Sequence, residues 1–233
     1  MGVRSQLLAE GYICSREKVG YFVETTERSD SRPLPPVQPE AASDDRIDLT
    51  ANGPARFPFS VWSKLQREVM LDQGEQLLLP MPNRGIPELQ QAIADHLAAF
   101  RGMHVDPENI LIGAGTDFLY NLLIQLLGRD QSYAVEEPGY EKIRRIYAAG
   151  GVRCVSAVMD GAGVVPESLG DAHVLHISPS HHFPTGLVTP IQRRQALLCW
   201  AESRDGWIIE DDYDSEFRFH AHPMPTLQAL DRS

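Results

Sequence analysis

Cysteine is scarce in this sequence and never closely paired. Cys14, Cys154 and Cys199 are an odd number, lie far apart and include no CxxC spacing. That pattern argues against a zinc knuckle, and three lone thiols fit a reducing compartment. Positive charge is also short. Lys and Arg number 21 against 32 Asp and Glu, for a net charge of −11. The body of such a chain is a poor general binder of nucleic acid. No apolar run is long enough to span a bilayer, and the start lacks a charged-then-apolar signal pattern. No membrane partner is expected, and the cytoplasm is the default location. No GxGxxG or Walker motif occurs, which counts against an unrelated nucleotide-binding protein. Eight histidines are present, but no carboxylate–histidine spacing predicts a metal site.

What is present is enough for a sizeable core. The chain has 233 residues, 42% of them hydrophobic and 23% charged, as expected of a globular protein. Residues 1–24 form one unit. "VRSQLLAEG" reads as a short helix stopping at Gly11, and "GYICS" and "GYFVE" read as a hairpin around "REKV". Residues 25–45, "TTERSDSRPLPPVQPEAASDD", hold four prolines and few large apolar residues. Such a composition predicts an extended linker.

From residue 46 the pattern is that of a folded domain. "IPELQQAIADHLAAFRG" carries Leu89, Ile93, Leu97 and Phe100 at helical spacing, with Pro87 in the first turn and Gly102 at the end. Strands and helices then alternate. "NILIGAG", "SYAVEEPG", "RCVSAVM", "HVLHISPS" and "GWIIEDDY" read as strands. "TDFLYNLLIQLLG", with Thr116 as cap, "YEKIRRIYAAGG" and "TPIQRRQALLCWAESR", with Thr189 as cap, read as helices. This alternation predicts an α/β fold, a mostly parallel sheet with helices on both faces.

In such sheets ligands bind beyond the carboxyl ends of the strands. Those ends present Ala114-Gly115-Thr116 at a helix start, Pro138-Gly139-Tyr140, "SPSHHFPTG", and Asp211-Asp212-Tyr213 after "WIIE". A helix N-terminus favours phosphate. An aromatic ring can stack on a flat ligand. A carboxylate beyond a buried strand calls for a cationic partner. Together these describe a pocket for a phosphorylated, cationic aromatic ring.

The ordered motifs "GAGT", "EEPGY", "SPSHHFPTG" and "IEDDYDSEFRF" resemble the large domain of fold-type I aminotransferases, the PLP-dependent transferases. More narrowly, "PSHHFPTG" and "EDDYDSEF" are similar to the aminotransferase-like domain of MocR-type regulators of the GntR family. Their N-terminal winged helix-turn-helix is matched by "LLAEGYICSREKVGYFV", the close of its last helix and the wing. The resemblance implies residues 1–24 as the remnant of that DNA-binding domain, 25–45 as linker and 46–233 as a partial pyridoxal-phosphate-binding domain. It implies Gly115 and Thr116, with Asp117 beside them, at the cofactor phosphate, and Tyr140 stacked on the pyridine ring. Asp211, with Asp212 as the alternative, pairs with the ring nitrogen. Tyr213 binds the phenolic oxygen. Phe183 stands where the aminotransferase "NPTG" turn has asparagine, and His182 or His181 is the substitute.

The resemblance also implies what a complete protein would do: form a homodimer, bind DNA through the complete winged helix-turn-helix, and sense an amino acid or pyridoxal 5'-phosphate as effector. The alternative is a metabolic aminotransferase acting on an amino acid. Lysine decides part of this. The chain has three, Lys18, Lys64 and Lys142, and none follows "IEDDYDSEFRF", where the family carries its Schiff-base lysine. The expectation is therefore of the middle of a longer protein, catalytically incompetent as given.

Overall fold

The computed structural model describes residues 3–24, 57–215, 217 and 224–231. The expected linker, 25–45, lies outside the described residues. The chain divides into two compact units, Met1–Trp62 and Ser63–Ser233.

In the first unit, helix α1 (Val3–Ala9) leads into an antiparallel hairpin of β1 (Ile13–Arg16) and β2 (Gly20–Val23). Register pairs Ile13 with Val23 and Arg16 with Gly20. Lys18 takes a left-handed φ of 61° in the tight turn. Helix α2 (Phe59–Gln73) begins in this unit and continues into the second.

The second unit is built on a five-stranded sheet in the order β5-β4-β3-β6-β7. The strands are β3 (Ser132–Glu137), β4 (Arg153–Asp160), β5 (Gly163–Val164), β6 (Val174–Ile177) and β7 (Trp207–Glu210). All ladders are parallel except the short β4–β5 pair. The helices are α3 (Pro87–Arg101), α4 (Thr116–Leu127), α5 (Glu141–Ala149), α6 (Ile191–Arg204) and the short α7 (Leu227–Leu230).

Alternation along the strands sorts the core into two layers. Ala134, Ala157, Leu175 and Ile177 face one side and pack with Leu197 and Trp200 of α6 and Leu227 of α7. Tyr133, Val135 and Val174 face the other, against Tyr120 and Ile124 of α4 and Ile143 and Tyr147 of α5. Burying a side chain such as Leu175 or Ile177 contributes about 1.5–3 kcal/mol. No helix among the described residues is long and apolar enough to cross a membrane.

Three local expectations are corrected. "NILIGAG" is not a strand: Ile110 is extended, but residues 110–113 join no ladder among the described residues. Instead the Ile112 N–H bonds the Arg84 carbonyl, and Gln90 Nε2 donates to Ile110 O at 2.6 Å. That bond buries Gln90; the other buried residue of α3 is Ala94, while Leu89 and Phe100 are exposed. The helix caps shift by one. Gly115, not Thr116, caps α4, and Pro190, not Thr189, caps α6. The Thr189 N–H is already held by the Pro179 carbonyl at 2.8 Å.

Candidate functional site

The carboxyl ends of β3, β6 and β7 lie side by side, and each is followed by one of the segments read from the sequence. After β3, Gly139 permits a tight turn into α5. A Cβ there would sit 2.3 Å from the Glu136 carbonyl oxygen, so the backbone excludes any larger residue. Tyr140 then caps α5 with its side chain 54% exposed, its ring edge-on to Phe183 with centroids 6.0 Å apart.

Helix α4 starts beside these segments. Its cap, Gly115, has φ 93° and makes no side-chain bond to the first turn. A Cβ at Gly115 would meet nothing within 4 Å, so the approach to the first-turn N–H groups is open. Those groups and the helix dipole attract an anion. Asp117 lies in this turn and is ion-paired with Lys142 of α5 at 2.8 Å.

Asp211 occupies the centre. Its N–H bonds the Ile177 carbonyl, which continues the β6–β7 ladder by one step. Tyr120 Oη donates to its Oδ2 at 2.6 Å. His176 Nε2 is 3.9 Å from the same oxygen, too long for a hydrogen bond but close enough to act through its polarity. Tyr147 Oη lies 2.6 Å from His176 Nδ1. Burial pushes the Tyr147 hydroxyl well up from its ordinary range, so it keeps its proton and donates. That leaves the His176 proton on Nε2, aimed at Asp211. Burial would raise the Asp211 carboxyl, but His176 and Tyr120 more than offset it and hold it below its usual range. Asp211 is therefore an anion supported from behind by Tyr120, His176 and Tyr147.

The remaining expected residues are placed differently from one another. Asp212 turns away to Arg101 at the end of α3, with Nη2–Oδ2 at 2.5 Å and the arginine side chain 4% exposed. Tyr213 is partly exposed, and its hydroxyl donates to the His181 carbonyl. His182 is buried, with Nδ1 2.7 Å from Thr185 Oγ1 and Nε2 3.6 Å from Glu136 Oε2. Its ring lies behind the site, not at its surface. His181 is the half-exposed member of the pair, tilted against Tyr213 with ring centroids 6.3 Å apart. Among the described residues no group of three His, Cys, Asp or Glu could hold a metal ion.

Sequence reasoning missed Tyr120, His176, Glu136 and Arg194. The signal for His176 was available: it shares a strand face with Val174, the face turned to α4 and α5. Arg194 is fully buried in α6. It donates to the carbonyls of Pro179, Thr189 and Pro225 and reaches Glu210 at 3.3 Å. One guanidinium thus ties the turn after β6 to the end of β7.

Fold and site define an α/β domain of the fold-type I aminotransferase architecture. An archaeal alanine:glyoxylate aminotransferase superposes with a TM-score of 0.68 at 26% identity, covering 76% of this chain and 46% of that one. Residues 44–226 match the family model for aminotransferase class I and II, and the chain belongs to that family. Among curated proteins it is 36% identical to the "Uncharacterized HTH-type transcriptional regulator YdeL" of Bacillus subtilis, over 97% of this chain and 51% of that one. It is 35% identical to the "HTH-type pyridoxine biosynthesis transcriptional regulator PdxR" of Corynebacterium glutamicum, over 97% of this chain and 50% of that one. The chain spans about half the length of these relatives.

Proposed function

We propose that this chain is the pyridoxal-phosphate-binding, aminotransferase-like part of a MocR-type, DNA-binding transcriptional regulator. The observation that carries the cofactor reading is Asp211, an ionised carboxylate at the end of β7, close to the open N-terminus of α4. The residues fit the group. Gly115, Thr116 and the first-turn N–H groups of α4, with Asp117 beside them, would hold its phosphate. Tyr140 would face the ring, Asp211 would pair with the ring nitrogen, and Tyr213 would serve the phenolic oxygen. When bound, the cofactor supplies an electron sink through its protonated ring. The chain's own part is to keep Asp211 charged and oriented through Tyr120 and His176.

Two features support a regulator over a metabolic enzyme. Helix α1 and the β1–β2 hairpin have the form of a helix and wing, and the relatives alignable over nearly the whole chain are named as regulators. On this reading the intact protein is a cytoplasmic homodimer that binds DNA and senses pyridoxal phosphate or an amino acid. The lysines agree with a non-catalytic part. Lys18 sits in the hairpin turn, Lys64 pairs with Glu68 on α2, and Lys142 pairs with Asp117.

Titration of the purified chain with pyridoxal phosphate, followed by absorbance and induced circular dichroism, tests the proposal. Saturable binding is expected. Asp211→Ala should weaken it by about 1.5–3 kcal/mol, roughly 10- to 150-fold, the range for a charge-assisted hydrogen bond. Unchanged affinity in that variant would remove Asp211 from the site. A second measurement concerns chemistry. Borohydride reduction with cofactor, followed by peptide mass mapping, should label no lysine stoichiometrically, and amino acids should not turn over. Stoichiometric labelling of Lys142 with turnover would favour the aminotransferase reading.

A further inference from the structure

Tyr213 has a single hydroxyl proton to donate, and the contacts around it fix where that proton goes. The two residues before it are anchored. The Asp211 N–H bonds the Ile177 carbonyl, and Asp212 is paired with the nearly buried Arg101. From that position the Tyr213 hydroxyl donates to the His181 carbonyl, and the two rings tilt against each other. Burial, with the Asp211, Asp214 and Glu136 charges, pushes this hydroxyl up from its ordinary range, so it keeps its proton and acts as a donor. The His181 carbonyl and the His182 N–H belong to one planar peptide unit. That N–H bonds the Leu187 carbonyl at 3.1 Å, and the His182 carbonyl accepts from the Gly186 N–H at 2.7 Å. One peptide plane is therefore held at both edges, by Tyr213 on one side and by Leu187 on the other. The same turn, residues 178–187, carries Phe183, whose ring meets Tyr140 edge-on.

We infer that Tyr213 is a positioning residue that donates its hydrogen bond either to the His181 carbonyl or to the phenolic oxygen of a bound ligand, so that filling the site releases the turn of residues 178–187. The inference rests on the cofactor reading given above and adds a regulatory readout to it. A phenolic hydroxyl donates one hydrogen bond. A cationic pyridine ring paired with Asp211 draws electrons from its own phenolic group and favours the ionised form, whose oxygen only accepts. Tyr213 serves that oxygen only by leaving His181. The freed carbonyl belongs to a half-exposed residue, where water replaces the lost donor at little cost. What is lost is the hold on one edge of the 181–182 peptide plane, and with it the fixed placement of Phe183 against Tyr140. Occupancy of the site thereby becomes a change in the order of the turn, a form of signal that a regulator can pass on.

Amide hydrogen exchange at His182, read by NMR, tests the hold. In the chain without cofactor, Tyr213→Phe should speed that exchange by about 2- to 10-fold, the net worth of one hydrogen bond. The Asp211 N–H, bonded to the Ile177 carbonyl, is the control and should not change. An unchanged His182 rate, or an equal rise at Asp211, would overturn the inference. In the second arm the unaltered chain is saturated with pyridoxal phosphate or with its analogue lacking the phenolic hydroxyl. Pyridoxal phosphate should speed His182 exchange as the substitution does, and the analogue should leave it slow. In Tyr213→Phe the cofactor should add nothing further. A rise with both bound ligands, or with neither, would overturn the inference as well. Failure of pyridoxal phosphate to bind would instead count against the cofactor reading and the release that depends on it, and the Tyr213→Phe comparison would still decide the hold.

Discussion

Replacing Arg194 by methionine is expected to destabilise the chain by about 3–5 kcal/mol, the cost of breaking a buried ion pair from one side. The side chain is wholly buried, and its donors hold three carbonyls as well as Glu210. Methionine fills much of the volume but leaves those acceptors unmatched. Glu210 would keep the N–H groups of Leu227 and Gln228 and lose its cation. Burial already pushes the Glu210 carboxyl up, so it would take a proton more readily in the variant. Urea unfolding monitored by tryptophan fluorescence measures the loss. Adding Glu210→Gln should recover part of it, because the stranded charge is then gone. A loss under about 1 kcal/mol in the single variant would show that the guanidinium is not the tie described.

The second large effect depends on pH. Burial, helped by the nearby Asp211 charge, pushes the Glu136 carboxyl up to about 7 from an ordinary 4.5. Because the folded value is the higher one, the unfolded chain ionises first. The stabilising contribution of Glu136 is thus fully present below about 4.5 and is lost as pH rises through about 7. Each pH unit of that gap is worth about 1.4 kcal/mol. Glu136→Gln should therefore leave stability nearly unchanged at pH 4 and raise it by about 3 kcal/mol at pH 8. His182 works in the opposite sense. Burial holds its ring below the ordinary value, so its contribution is lost as pH falls below about 6.5. Urea midpoints of the two chains from pH 4 to 8 would show the divergence, and parallel curves would contradict it.

Much of this architecture could be read in advance because it depends on short-range rules. Strand ends carrying Pro138-Gly139, Pro184-Thr185-Gly186 and Asp211-Asp212 mark where the sheet stops and what stands there. Helices with strong periodicity, such as α4 and α5, fall where their apolar spacing puts them. The errors have a different origin. "NILIGAG" has strand composition, but a strand also needs a partner, and pairing is a property of the sheet. The cap of α6 falls at Pro190 because the Thr189 N–H is bound to the Pro179 carbonyl, a contact set by the turn after β6. Sequence order could not separate Asp211 from Asp212, since the two differ only in which element meets them: Tyr120 for one and Arg101 for the other. Nor could it show that His182 turns inward, because Glu136 and Thr185 lie on opposite sides of it in the chain.

The strand order has a consequence for how quickly the chain reaches this state. Strand β3 takes β4 as one neighbour after a single intervening helix, while β6, its other neighbour, arrives only after β4 and β5 have passed. Tyr133 must find Val174, and Val174 must in turn find Trp207. Each such pairing closes a long loop before any contact rewards it, and loop-closure entropy makes these steps slow. The α4-β3-α5-β4 half has the more local contacts and is expected to collapse first, with the Tyr133–Tyr147 ring contact inside it. Strands β6 and β7, which deliver His176 and Asp211, would then join last. Refolding followed at the Tyr120–Asp211 contact should accordingly lag behind refolding followed by secondary structure.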